Sequence, residues 1–226
     1  MRTRLTTALA LAVLAAAAPM PLLRAAAAAP SPHAPASATP APQPSDPALG
    51  ALLAKMVAVN ADVRSYEAAM TVNVAMHTFP YLKPTLTGKV YWERPDRSAV
   101  IFDTLPALGS QFKKVYPRIE APSQWPAIYV VSLEHADRVR LVPRKHGRVD
   151  HVEVSVNDDG TIAAMRWFYN DGGDISMRQT FSDVLGHALV THQQGTVELP
   201  AYKGDIDAAF TDYKVNVAIP ASVFTS

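Results

Sequence analysis

From Tyr66 to Met76 the chain alternates with a period of two. Tyr66, Ala68, Met70, Val72, Val74 and Met76 share one parity, and Glu67, Ala69, Thr71, Asn73, Ala75 and His77 the other. Successive side chains of a strand point to opposite faces, so the pattern predicts one continuously apolar face and one wet face. Such a strand lies near the upper end of the usual length range, and its apolar face needs a cover. A cover that packs down makes a filled sandwich. A cover that stands off makes a container.

Before this strand, Asp46 and Pro47 read as a helix N-cap followed by proline at the first helical position. Leu49, Leu52, Leu53, Met56, Val59 and Val63 recur at helical spacing and predict one amphipathic helix over roughly 47–64. After it, Leu86, Gly88, Val90 and Trp92 alternate up to Arg94-Pro95. Further strands are predicted over 98–104, 128–133, 138–142 and 149–156. The turns Asp158-Asp159-Gly160 and Asn170-Asp171-Gly172-Gly173 lead into strands over 162–169 and 175–184, and 211–219 is the last clear one. Residues 108–115 read as a short helix ahead of a proline-rich bend. One helix followed by about nine antiparallel strands on short turns predicts a single, mostly β, α+β domain over 46–226.

The N-terminal residues read as an export signal over 1–29. Arg2 and Arg4 precede an apolar run that Pro19 and Pro21 break, and Ala25–Ala29 offers small residues for cleavage. The run is too short for a comfortable transmembrane helix, and a retained anchor is the alternative. Residues 30–45, almost wholly Pro, Ala and Ser, form a linker. The chain has no cysteine, which excludes disulfides, thiolate metal sites, a cysteine nucleophile and a lipid-modified N-terminal cysteine. Removing Arg2, Arg4 and Arg24 from the 21 basic residues leaves 18 against 20 acidic ones, a net charge of −2. That balance carries no electrostatic footprint for nucleic acid.

Motifs for chemistry are missing. None of the seven histidines (His33, His77, His135, His146, His151, His187, His192) falls in a metal-ligand spacing. Ser110 sits in Leu-Gly-Ser-Gln rather than a nucleophile elbow, and the ten glycines form no phosphate loop. Asp171 and Asp174 flank two glycines, but two carboxylates are far short of the six to eight oxygens calcium takes. No cofactor, no metal and no enzymatic activity are expected. Arg138, Arg140, Arg144, Lys145, His146 and Arg148 cluster along two strands and their turn. They form either a solvated hairpin or a patch for anionic headgroups or an acidic partner. By spacing alone, Arg94 is an arginine at a strand terminus.

The order of leading helix, long alternating strand and Gly88-x-Val90-x-Trp92-x-Arg94-Pro95 resembles the LolA-like periplasmic lipoprotein carriers. So does Leu141-Val142-Pro143 followed by the 152–162 strand with its Asp-Gly-x-Ile turn. The resemblance spans roughly 49–180. It implies an unclosed, strongly curved antiparallel sheet, a half-barrel of about eleven strands, with helices as a lid on the concave face. It further implies a periplasmic, monomeric carrier that holds acyl chains of lipoproteins or a related lipid, with membrane-bound donor and acceptor proteins as partners. On that reading Leu53, Met56, Tyr66, Met70, Val72, Val74, Met76, Val90 and Trp92 line the cavity, and Arg94 locks the lid. The alternative is a non-catalytic interaction or sensory module that binds a protein partner on the same sheet. The stretch 101–125 and the last strand depart from the family pattern.

Overall fold

Helix α1 (Pro47–Ala58) opens the computed structural model, which describes residues 46–79, 81–95, 97–103, 114–115 and 120–225. The signal expected over 1–29 and the linker over 30–45 lie outside the described residues. Asp46 caps α1: its carboxylate accepts from the Ala48 N–H at 2.9 Å, and Pro47 occupies a position whose N–H would have no partner. The helix stops at Ala58 instead of running to Arg64. The Val59 N–H turns back to the Met56 carbonyl, and Asn60 enters the left-handed region at φ 52°, where asparagine is better tolerated than most residues. Val63, which the apolar spacing counts with the helix, is buried from this link.

The strands are β1 (Ser65–Met76), β2 (Thr85–Glu93), β3 (Arg97–Phe102), β4 (Lys114–Val115), β5 (Tyr129–His135), β6 (Arg138–Pro143), β7 (Val149–Val156), β8 (Ile162–Tyr169), β9 (Asp174–Val184), β10 (His187–Leu199) and β11 (Tyr202–Val215). They form one curved antiparallel sheet in the order β4-β3-β2-β1-β11-β10-β9-β8-β7-β6-β5. Edge strands β4 and β5 do not pair, so the sheet is not closed into a barrel.

Three readings of the sequence need correction. β10 was not anticipated, because its inner parity carries Gln193 and Gly195 beside Leu189 and Val197. β11 runs over Tyr202–Val215 and not 211–219; its inner positions include Gly204 and Ala208, whose small side chains mute the alternation. Lys114 and Val115 belong to a strand and not to a helix over 108–115, and residues 108–113 lie outside the described residues.

β1 behaves as its alternation requires. Ala68, Met70, Val72, Val74 and Met76 are buried on the inner face, and Thr71 and Asn73 are exposed on the other. α1 lays Leu49, Leu53 and Met56 onto the inner face. Topology supplies a second cover. The connection from β4 to β5 must pass from one edge of the sheet to the other, and its described end holds a 3₁₀ turn (Pro122–Gln124) and α2 (Trp125–Ile128). Trp125 anchors that crossover at 1% exposure, a burial that stabilises by roughly 3 kcal/mol. At Gly88 a Cβ would collide with the Ile101 carbonyl oxygen, so only glycine lets β3 approach β2 this closely.

Candidate functional site: a cavity at one end of the sheet

The inner face is packed at its middle and hollow at one end. A cavity of about 310 Å³ lies beneath the end of α1, the link that follows it and the Glu120–Trp125 segment. Its wall comes from Trp92 on β2, Tyr66 on β1, Tyr213 on β11, Leu189 and Val190 on β10, Gln179 and Phe181 on β9 and Met165 on β8. This volume sits at the low end of small-molecule sites, and it is about twice an apolar cavity of ~150 Å³ that takes one benzene.

Irregular pairing places the hollow there. Between Glu67 and Ala69 on β1 the partner numbers on β11 jump from Lys214 to Thr211, so β11 carries an extra residue; Asp212 lies in this interval at φ 53°. Inner positions on β11 are therefore Ile206, Ala208 and Phe210 before the bulge and Tyr213 after it. β10 carries a matching extra residue between Val190 and His192. Bulges bend strands and raise their twist, and these two, on the adjacent strands β11 and β10, both fall at the cavity end of the sheet.

The link after α1 is held at three points. The Asn60 side chain donates to the Ala188 carbonyl at 2.7 Å and accepts from the Ala188 N–H at 3.0 Å. Arg94 donates from Nε to the Val63 carbonyl at 2.5 Å and from its Nη2 to the Asn60 carbonyl at 2.9 Å. Asn216 accepts from the Arg64 N–H at 2.7 Å and donates to the Asp62 carbonyl at 3.3 Å. A fourth contact comes from the Asn157–Gly160 turn. Gly160, at φ 90°, lies so close to α1 that a Cβ would meet Val59 Cγ2 at 3.0 Å and the Lys55 carbonyl oxygen at 3.1 Å.

Aromatic rings dominate one half of the cavity. Tyr66 stacks on Trp92 with centroids 5.5 Å apart, and Tyr213 meets Tyr66 edge-on at 5.7 Å. The Arg94 guanidinium lies 5.6 Å from the Trp92 ring centre. Burial pushes the Tyr66 hydroxyl up to about 12, and it pushes Tyr213 upward too, where the hydroxyl donates to the Val190 carbonyl at 2.5 Å. Tyr129 is raised first by burial and then by Glu120, which accepts from its hydroxyl at 2.8 Å. Among the described residues no histidine lines the cavity, and its Glu120 carboxylate is engaged by Tyr129. The arrangement suits holding an apolar guest.

Of the residues singled out in the sequence, Met56, Tyr66, Trp92 and Arg94 line the cavity. Leu53, Met70, Val72 and Met76 lie in the packed middle, with Val90 half-buried against it. Val74 is in that core too, and it backs a polar groove of about 540 Å³ on the opposite side of β1, β11 and β10. Gln179, Phe181, Val190 and Tyr213 escaped sequence reasoning. Phe181 and Gln179 share the inner parity of Ile175 and Met177, a signal that was present, whereas Tyr213 reaches the wall only through a bulge.

Elsewhere, the basic cluster is exposed and partly engaged. Arg140 pairs with Glu134 at 3.3 Å, Arg148 with Asp171 at 2.9 Å, and Arg144 donates to the Pro126 carbonyl. Asp174 holds Arg166 through both carboxylate oxygens, so Asp171 and Asp174 each serve an arginine. Among the described residues no group of three or more histidines or carboxylates could hold a metal ion, and no helix is long and apolar enough to cross a membrane. His33 and Ser110 lie outside the described residues.

No family model and no curated protein matches the sequence. Solved structures do match the fold. A DUF1329 family protein from Desulfovibrio piger superposes with a TM-score of 0.58 at 12% identity, covering 79% of this chain and 96% of its own. A LolA superfamily protein from Nitrosomonas europaea gives 0.55 at 14% identity, covering 78% and 96%. An outer membrane lipoprotein-sorting protein domain from Vibrio parahaemolyticus gives 0.52 at 8% identity, covering 71% and 89%. At these identities the likeness speaks for architecture alone: the chain has a LolA-like fold, an open curved sheet with its helices on the inner face.

Proposed function

We propose that this protein is a periplasmic carrier that binds acyl chains of lipoproteins or a related lipid without chemistry. The observation behind the reading is the cavity of about 310 Å³ walled by Met56, Tyr66, Trp92, Met165, Phe181 and Tyr213. Each methylene moved from water into such a wall contributes roughly 0.8 kcal/mol, so one long chain gains ~10 kcal/mol gross. Release then requires a roof that opens. The link pinned by Asn60 and Arg94 is the part that moves, with Arg94 as its lock. The fold shared with a lipoprotein-sorting domain supports the reading.

The test is direct. Protein purified from membranes, extracted and analysed by mass spectrometry, is expected to yield lipid, and added acyl chains are expected to shift the fluorescence of Trp92 and Trp125. Lipid-free protein with unchanged fluorescence would remove the carrier reading. A second reading, a non-catalytic module that binds a protein partner, rests on the exposed β1–β2 tip. Phe79 is 81% and Tyr81 66% exposed there, beside Leu82. It predicts a partner whose capture is lost when Phe79 and Tyr81 are changed to serine.

A further inference from the structure

Two glutamines stand side by side on the inner face. Gln179 on β9 and Gln193 on β10 are register partners, each on the buried parity of its strand. Gln193 is 3% exposed and turns its amide to the Met177 sulfur, a weak acceptor. Gln179 lines the cavity, and its side chain makes no hydrogen bond among the described residues. Gln179 is half-buried at the edge of the hollow, so its amide is free to hydrogen-bond to a guest. β9 does not need a polar residue at this point, because its inner neighbours are Ile175, Met177 and Phe181.

The other polar groups at the cavity are engaged, Asn60 with Ala188, Arg94 with the Val63 and Asn60 carbonyls, Glu120 with Tyr129 and Thr161 with Asp159, and Ser123 stands exposed on the roof segment. The aromatic half of the cavity, with Tyr66, Trp92 and Tyr213, belongs to β1, β2 and β11; Gln179 stands two strands beyond β11. At ~4.8 Å per strand that puts the amide roughly 10 Å from β11, across the hollow from the rings. A guest filling this space therefore meets the Tyr66, Trp92 and Tyr213 rings at one end and the Gln179 amide, beside the Phe181 ring, at the other. The volume, about 310 Å³, is enough for one chain of moderate length and too small for a bundle of chains.

Resting on the carrier reading, we infer that the cavity is built for a single-chain amphiphile whose carbonyl-bearing head hydrogen-bonds to Gln179 while its tail lies against Tyr66, Trp92 and Tyr213. The head is a carboxyl or an ester carbonyl, from a free fatty acid or from an acyl chain attached to something larger. The Gln179 amide donates to that carbonyl. The guest in turn supplies the partner that the protein leaves out.

Tryptophan fluorescence titrations of the whole protein with decane, methyl decanoate, decanoate and dilauroylglycerol test the inference. Wild type is expected to bind methyl decanoate about fivefold more tightly than decane, the worth of one neutral hydrogen bond. Dilauroylglycerol, with two chains, is expected to bind no better than methyl decanoate. Gln179→Leu is expected to erase the ester preference, read as the ratio of methyl decanoate to decane affinity within the same variant; Gln179→Met gives the same readout if the leucine variant folds poorly. Tighter binding of decanoate than of methyl decanoate points to free acids, and the reverse order to esterified chains; either order supports the inference. An ester preference that survives both substitutions overturns it, as does tighter binding of the two-chain ester. Decane binding with no ester preference in wild type overturns it while sparing the carrier reading, whereas no binding by any probe overturns both.

Discussion

The Asn60 side chain acts as one more strand for Ala188: it donates to the Ala188 carbonyl at 2.7 Å and accepts from the Ala188 N–H at 3.0 Å. Two residues 128 positions apart are thereby joined as a ladder pair would join them. The pairing fastens the link after α1 to the start of β10, directly over the cavity. Asparagine serves both needs of the position, since it tolerates φ 52° and carries a donor and an acceptor on one planar group.

Replacing it should expose both roles. Asn60→Ala is expected to lose about 3 kcal/mol: roughly 1 kcal/mol for each hydrogen bond and 1 kcal/mol for the left-handed backbone. Asn60→Gly, free of the backbone penalty, is expected to lose about 2 kcal/mol. Urea denaturation midpoints of the three proteins give the comparison. Equal stability of wild type and both variants would show that the clasp carries no energy.

Arg94 grips the same link from β2 through two carbonyls, and it is exposed enough that solvent weakens each bond. Arg94→Ala is expected to cost about 1 kcal/mol of stability and to speed entry of an apolar dye into the cavity several-fold, measured by stopped-flow fluorescence. Arg94→Lys is expected to behave like the alanine variant, because an ammonium cannot reproduce two donors set in one planar fork. Unchanged dye kinetics in both variants would deny Arg94 a part in closing the link.

Gly160 should tolerate no side chain. Its φ of 90° and the 3.1 Å approach to the Lys55 carbonyl oxygen both oppose a Cβ. Gly160→Ala is expected to destabilise by about 2 kcal/mol, read from thermal or urea unfolding. By pushing on the end of α1 it is also expected to weaken guest binding.

Acid should loosen the same turn. The Asp159 carboxylate accepts from the Thr161 hydroxyl at 2.6 Å and from the Thr161 N–H at 2.9 Å, and these bonds hold it below the ordinary carboxylate range. A carboxylate depressed in the folded state contributes stability above its unfolded pKa, about 3.9. The contribution disappears as pH falls through the folded value. The melting-temperature gap between wild type and Asp159→Ala is therefore expected to be widest near neutral pH and to shrink below about pH 4. A gap that holds constant down to strongly acidic pH would show that the carboxylate's charge is not what matters.

What could be read along the chain was what neighbouring residues decide among themselves. The alternation of Met70, Val72, Val74 and Met76 told which face of β1 is buried, and Asp46-Pro47 told where α1 begins, because strand parity and helix caps are local. The open sheet was legible as a resemblance of ordered motifs. The end of α1 was not, since Asn60 leaves the helix in favour of Ala188, a partner far away in sequence. Nor was the identity of the wall. Tyr213 turns inward because β11 gains a residue against β1, and such a register break exists only once both strands are paired. The sequence by itself determined the greasy face; the place where that face stands clear of its cover was decided by long-range pairing and bulges, with α1 packed on the middle of the sheet and the Glu120–Trp125 segment roofing the end that stays hollow.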